Sequence, residues 1–231
     1  MGDIRKAIFH CPECNKEIPV EMWETIEMPY DSKVKKKIMT NTFFKVNCTD
    51  CNIAIPIGYK CLYNDMERRF MIWLSPKMGV AEQRDIQDYN DELKNDLSLR
   101  WVRGGYQHRV VRNDNEFREK IFIFEEGLDD RFIETMKLIY VNMLRGKLPP
   151  EDRIMGIYLD KSEKGEYRWV VIFNDKKPMI VDFDMNMYED MKEKLHDLAE
   201  EKTPEGFFSV DPTWAMEILM TRTEGQQNPE Q

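Results

Sequence analysis

Long apolar runs are missing from this chain. No stretch approaches the roughly 18 residues that cross a bilayer, and Met1 to His10 lacks the charged-then-apolar layout of a secretory leader. A membrane span and a secreted product are therefore set aside, and a cytoplasmic location is expected. There is no internal repeat, phosphate-binding glycine loop or nucleophile signature. An excess of basic charge is missing too: the net charge is −9 and the pI is near 5.1. That excludes a protein whose whole surface grips nucleic acid or anionic lipid, although local patches stay open. Histidine is scarce, with only His10, His108 and His196 in 231 residues. Apolar residues are not scarce: 42% of the chain is hydrophobic and 11% aromatic, enough for one large or two small cored domains. The sixteen methionines lie mainly on helix or strand faces; with no tight cluster beside Cys or His, they read as core filling rather than copper ligands.

Cysteine is also sparse, yet its placement is the most specific feature present. Cys11-Pro12-Glu13-Cys14 is answered after a gap of 33 residues by Cys48-Thr49-Asp50-Cys51. Each two-residue gap lets both sulfurs of a pair reach one metal from a tight turn, and four thiolates complete a tetrahedral shell. The reading is a structural Zn²⁺ held by Cys11, Cys14, Cys48 and Cys51; the spacing does not separate zinc from iron. A closed four-sulfur site leaves no open position for substrate or water, so it supplies folding energy rather than chemistry. His10 beside Cys11 is read as a surface or supporting residue. Cys61, the fifth cysteine, is expected to be buried in a strand, and the odd count suits reduced thiols better than a disulfide framework.

Residues Ala7 to Leu74 read as short strands around two metal-binding turns, including Ile18 to Ile26, Phe43 to Val46 and Phe70 to Leu74. Met28 to Asp31 is a turn. Lys33 to Lys37, with four lysines in five residues, reads as a solvated hairpin tip or charged edge strand. Ala81 to Leu99 repeats Ile86, Tyr89, Leu93 and Leu97 at helical steps, which predicts a single one-sided helix. Leu99 to Arg112 is the most basic aromatic stretch, with Trp101 and Tyr106 among the arginines; Arg109 to Arg112 also reads as an ordinary strand. Helices follow from about Asp114 to Glu126, ending at Gly127, and from Asp129 to Gly146. After Pro149-Pro150 come three strands, Ile154 to Leu159, Tyr167 to Phe173 and Pro178 to Phe183, then a helix over Met187 to Glu201. Phe207 to Val210 is a candidate short strand. Asp211-Pro212 caps a last helix.

The expected fold class is α+β: a zinc-ribbon-like β region with associated helices, plus a smaller β-meander and helix domain. The expected domains are 1–148 and 151–222, with a disordered tail at 223–231.

A second candidate cluster is Asp129, Asp130, Arg131, Glu134 and Lys137. Asp130 and Glu134 share a helix face, where two carboxylates could hold a cation or transfer protons. The plainer reading has the aspartates capping the helix and Glu134 pairing with Lys137 or Arg131, since no histidine completes a catalytic set. His108, beside arginines, is a candidate anion contact; His196 is read as solvated.

These residues together carry a resemblance. Cys11-Pro12-Glu13-Cys14, Cys48 and Cys51, Tyr63-Asn64-Asp65, Phe70-Met71-Ile72, Glu119-Lys120-Ile121, and Gly127 to Arg131 with Glu134 resemble the CpXC-domain proteins, a bacterial and archaeal family named for two Cys-Pro-x-Cys motifs. The likeness covers roughly residues 8 to 140. Thr49 replaces the second proline, which loosens the turn without removing a ligand. The resemblance implies a zinc-ribbon-like metal site and no established reaction. The functional expectation is a non-catalytic zinc-binding protein whose ribbon is a platform for a protein partner. The alternatives are a nucleic-acid-binding or regulatory protein using Lys33–Lys37 and Arg100–Arg112, and an enzyme using Asp130 and Glu134.

Overall fold

The computed structural model describes residues 2–77 and 79–227, and the fold is α+β. The chain divides into two compact units, Met1–Arg118 with Glu205–Phe208, and Glu119–Pro204 with Ser209–Gln231.

The first unit begins with an antiparallel pair, β1 (Ile4–His10) and β2 (Glu17–Trp23). A second small hairpin is built from β4 (Lys45–Cys48) and β5 (Ile53–Pro56). Between them lie β3 (Thr25–Met28) and α1 (Ser32–Met39). The lysine run is thus a helix rather than a hairpin tip or edge strand. Val34 and Ile38, four residues apart, share its buried face, while Lys33, Lys36 and Lys37 face solvent.

A four-stranded sheet forms the core of this unit, in the order β3, β6 (Cys61–Asp65), β7 (Phe70–Leu74), β8 (Gln107–Val111). β6 and β7 are an antiparallel hairpin, while the β3–β6 and β7–β8 pairs are parallel. β7 is interior and covered on both faces, which explains its unbroken Phe-Met-Ile-Trp-Leu sequence. Cys61 is buried in β6, and burial pushes its thiol pKa up. The β7–β8 crossover carries α2 (Val80–Asn95) and α3 (Leu97–Arg103). The single helix expected there is two, because the Asp96 side chain accepts the Ser98 and Leu99 N–H groups and starts a new helix. Arg100 and Arg103 consequently lie on α3, and only the Gln107–Val111 part of the basic stretch is strand. The Trp101 side chain lies outside the described residues.

Residues 205–208 return to this unit. Asn90 on α2 grips Phe207 at both backbone groups, accepting from its N–H at 2.7 Å and donating to its carbonyl at 3.0 Å. Phe208 makes a single parallel bridge with Arg109, so the expected strand is reduced to one pairing.

The two units divide inside α4 (Asp114–Glu125). The second contains α5 (Asp130–Arg145), then β9 (Ile154–Lys161), β10 (Tyr167–Phe173) and β11 (Met179–Asp182). The three strands form an antiparallel meander with β10 central. α6 (Met185–Glu201) and α7 (Pro212–Gln227) follow. α5 belongs here rather than with the cysteine region because it packs on β9, α6 and α7. Its first eight residues, Asp130 to Lys137, are all buried, so the helix is enclosed all round rather than along one stripe. The tail at 223–231 enters α7, whose backbone runs to Gln227; residues 228–231 lie outside the described residues.

Candidate metal centre

Each cysteine pair sits where a hairpin turns. Cys11 and Cys14 lie between β1 and β2; Cys48 ends β4, and Cys51 lies in the turn before β5. The two turns are built alike. In both, the residue after the second cysteine is an asparagine in the left-handed region, Asn15 at φ 58° and Asn52 at φ 53°. Asparagine is among the few side chains that tolerate this backbone. In the first turn, Asn15 N–H donates to the Cys11 carbonyl at 2.8 Å and Cys11 N–H to the Lys16 carbonyl at 3.0 Å, which curls the chain around the sulfurs.

The hairpins bring all four sulfurs within 4.8 Å of one another. Cys11 and Cys51 Sγ are 3.9 Å apart, and Cys14 and Cys48 Sγ are 3.6 Å apart. A tetrahedral ion with metal–sulfur bonds of about 2.3 Å needs sulfur–sulfur edges of about 3.8 Å. The donor set therefore fits a four-thiolate metal ion, both in chemistry and in size. Cys11 and Cys48 are buried with Ile55, flanked by Phe9, Ile18, Cys51 and Ile53; Cys14 is exposed.

The local electrostatics favour ionised sulfur at one position and resist it at another. The Cys51 N–H, with that of Asp50, stabilises the Cys48 thiolate and lowers its pKa to about 7 against the effect of burial. Cys51 is pushed up by its hydrogen bond with Cys14, by burial, and by the other sulfurs. Four negative sulfurs this close repel one another, and a divalent cation among them removes that penalty. Lys16 adds positive charge at the rim. It donates to Thr49 Oγ1 at 3.0 Å and pairs with Asp50, linking the first turn to the second. Neither Lys16 nor the paired asparagines stood out in the sequence, although the repeated Cys-x-x-Cys-Asn was a signal for the latter.

His10 is outside this sulfur group and faces Glu17 at 3.6 Å on the ribbon surface. His196 is exposed on α6. His108 is buried on β8, with Nε2 3.2 Å from the Tyr89 hydroxyl and its ring against Phe207. Burial, with the nearby charge of Arg109 and Arg103, lowers its pKa to about 4. It is a neutral core residue rather than an anion contact.

Asp130 and Glu134 are brought to different cations, not to a common point. Asp130 accepts from Lys120 Nζ at 2.7 Å, and Lys120 also donates to the Val210 carbonyl. Glu134 accepts from Lys137 at 3.0 Å, and Lys137 donates to Glu119 at 2.5 Å. Glu119 takes the Leu159 N–H on its other oxygen. Burial raises the Glu119 pKa, with the Glu134 charge adding to it; burial opposes the charge on Lys137, but its two carboxylates hold it protonated. Asp129 caps α5 by accepting the Arg131 N–H, and clasps the Arg131 guanidinium, which also reaches Glu200 and Thr203. The capping and pairing anticipated for Asp129, Glu134 and Lys137 are present. What the sequence did not reveal was the burial of Asp130, Glu134 and Lys137, because the partners Glu119 and Lys120 sit on another helix.

Two cysteine-bearing hairpin turns converging on one point define a zinc-ribbon-like protein. The family described as CpXC protein matches residues 9–137, more than half of the chain, and the chain belongs to that family. No curated protein and no solved structure matches the chain. Among the described residues, no helix is long and apolar enough to cross a membrane.

Proposed function

We propose that Cys11, Cys14, Cys48 and Cys51 hold a structural Zn²⁺ and that the ribbon it closes is a platform for a protein partner. The observation that carries the metal reading is the mutual approach of four sulfurs within 4.8 Å at two turns of the same construction. With all four positions of a tetrahedron taken by sulfur, the ion holds structure and has no site for substrate. The platform reading is supported by the β1–β2 ribbon. None of its residues is buried, and Ile4 and Ile8 are 40% and 62% exposed on one face of a two-stranded sheet. An open strand edge with exposed apolar side chains suits an added strand or an apolar contact from another protein.

The test begins with metal analysis of freshly purified protein. One zinc per chain is expected, lost in Cys11→Ser and Cys48→Ser; iron with thiolate absorption, or no metal, would sink the zinc reading. The platform is tested by placing a photo-crosslinker at Ile8 in the host. Reproducible crosslinks to one protein, abolished by Ile4→Glu, are expected; labelling that no ribbon substitution alters would remove the proposal.

A further inference from the structure

The turn joining β6 to β7 gathers a second set of residues, in the first unit and away from the sulfurs. Asp65, fully buried, accepts the Glu67 and Arg68 N–H groups at 3.1 and 2.9 Å and pairs with the Arg68 guanidinium at 3.3 Å. The turn so fixed places Arg69 at φ 58°, a backbone region that costs a non-glycine residue strain. From there the Arg69 guanidinium donates to the Gly104 carbonyl at 2.6 Å and lies 5.5 Å from the centre of the Tyr106 ring. Gly105, at φ 78°, turns the chain beneath it. Arg103 approaches the same ring at 5.2 Å and donates to Asn64 Oδ1 at 3.3 Å.

Other arginines nearby are already engaged. Arg68 has Asp65, Arg100 has Glu205 at 3.6 Å, and Arg109 is buried over the Phe208 ring. Arg69 and Arg103 differ: among the described residues, each is held by a neutral acceptor and an aromatic ring, and neither forms an ion pair with a carboxylate. Because both guanidinia border one ring, they are separated by no more than about 11 Å, close to a Debye length at 0.1 M salt. Arg69 is exposed, and Arg103 and Tyr106 are half-buried, so an anion has access. In a chain of net charge −9, two cations held at one ring with no ion pair to a carboxylate among the described residues make a site prepared for an anion.

We propose that Arg69, Arg103 and Tyr106 form a binding site for a phosphate group, with the guanidinia donating to its oxygens and the tyrosine ring holding both arginines in place. Planar guanidinium forks match phosphate oxygens in geometry as well as charge. A small phosphorylated molecule fits better than a nucleic-acid strand, because the neighbouring Arg68, Arg100 and Arg109 are neutralised or buried and do not extend the site toward further phosphates. This site is independent of the metal reading.

The test uses the full-length protein in low salt, titrated with adenosine monophosphate, inorganic pyrophosphate and a fluorescein-labelled oligothymidylate. The small phosphates are expected to bind, with Kd raised roughly tenfold or more by Arg69→Gln or Arg103→Gln, and unaffected by the charge-matched control Lys36→Gln. The oligothymidylate is expected to bind with the shallow salt dependence of a single phosphate contact. A steep salt slope, insensitive to both arginine substitutions, would assign phosphate binding elsewhere and overturn the site. Absence of binding by all three probes would overturn it as well. Circular dichroism melts of each variant separate loss of the site from loss of the fold.

Discussion

Around the four sulfurs, the two hairpins of the first unit form a small cluster of buried residues, Cys11, Cys48 and Ile55. The second unit, by contrast, encloses Ile133, Met136, Trp169, Val171 and Ala199 with no exposed surface, and adds charged side chains to the same interior. Two short antiparallel pairs cannot bury enough apolar area to offset the entropy of ordering them. The proposed metal would give the hairpins a cross-link that the meander and its helices do not need. The second unit has the opposite arrangement: its packing is sufficient to carry Glu119, Lys137, Glu134, Lys120 and Asp130 buried, an arrangement in which desolvation offsets much of the attraction.

The sharpest way to break this comparison is to remove the metal proposed at the four sulfurs. Structural zinc contributes about 10–16 kcal/mol of apparent binding free energy in small finger peptides, so the largest effect belongs here. Chelation, or Cys48→Ser, is expected to expose the amides of β1, β2, β4 and β5 to hydrogen exchange while those of α5 and β10 stay protected. Thiol titration should then find Cys11, Cys14, Cys48 and Cys51 reactive and Cys61, buried at 1% exposure, slow. Hairpin amides that remain protected with all four thiols modified would mean that the small cluster around Ile55 suffices.

Next in size is the buried ion network. Lys137→Met leaves Glu119 and Glu134 facing each other without a cation, and breaking a buried pair from one side costs about 3–5 kcal/mol. Urea denaturation should show that loss. The triple change Lys137→Met, Glu119→Gln and Glu134→Gln should recover most of it, because no uncompensated charge remains. A loss below about 1 kcal/mol in the single variant is the size expected of an exposed pair and would place the network in solvent.

How much of this could be read in the sequence also differs between the units. The second unit is built from local signals: Asp129 and Asp211 as caps, Gly146 after α5, and three strands in chain order. Such features reside within a few residues and were legible. In the first unit the cysteine turns were legible because metal spacing is itself a local signal, but the sheet was not. Its β3–β6 and β7–β8 pairs are parallel and join segments separated by helices or a hairpin, which no periodicity encodes. Lys33 to Lys37 misled because the lysines outnumber Val34 and Ile38, the two positions that decide which way α1 faces. Asn90 and Phe207 are 117 residues apart, and nothing local links them. At the second candidate cluster, residue types and helix spacing were readable, but burial came from partners on another element.

A smaller effect sharpens the comparison from the first unit's side. Where the second unit buries charged lysines, the first buries a neutral histidine. His108 is packed by Tyr89 and Phe207, with Tyr106 beside it, and the charges facing it are those of Arg109 and Arg103. Its pKa is lowered by burial from 6.5 to about 4, so between those values the unfolded chain binds a proton that the folded chain does not. Stability contributed this way is complete above pH 6.5 and is lost as the pH falls toward 4, a span worth about 3 kcal/mol. Thiolate ligands and carboxylates titrate in the same acidic range, so the quantity to measure is the difference between wild type and His108→Gln. Denaturant stabilities are expected to converge as the pH falls from 7 toward 4, with the substitution removing the histidine part of the slope while costing stability at pH 7 through its lost packing. Parallel pH profiles for the two proteins would mean that His108 keeps an ordinary pKa and is open to water.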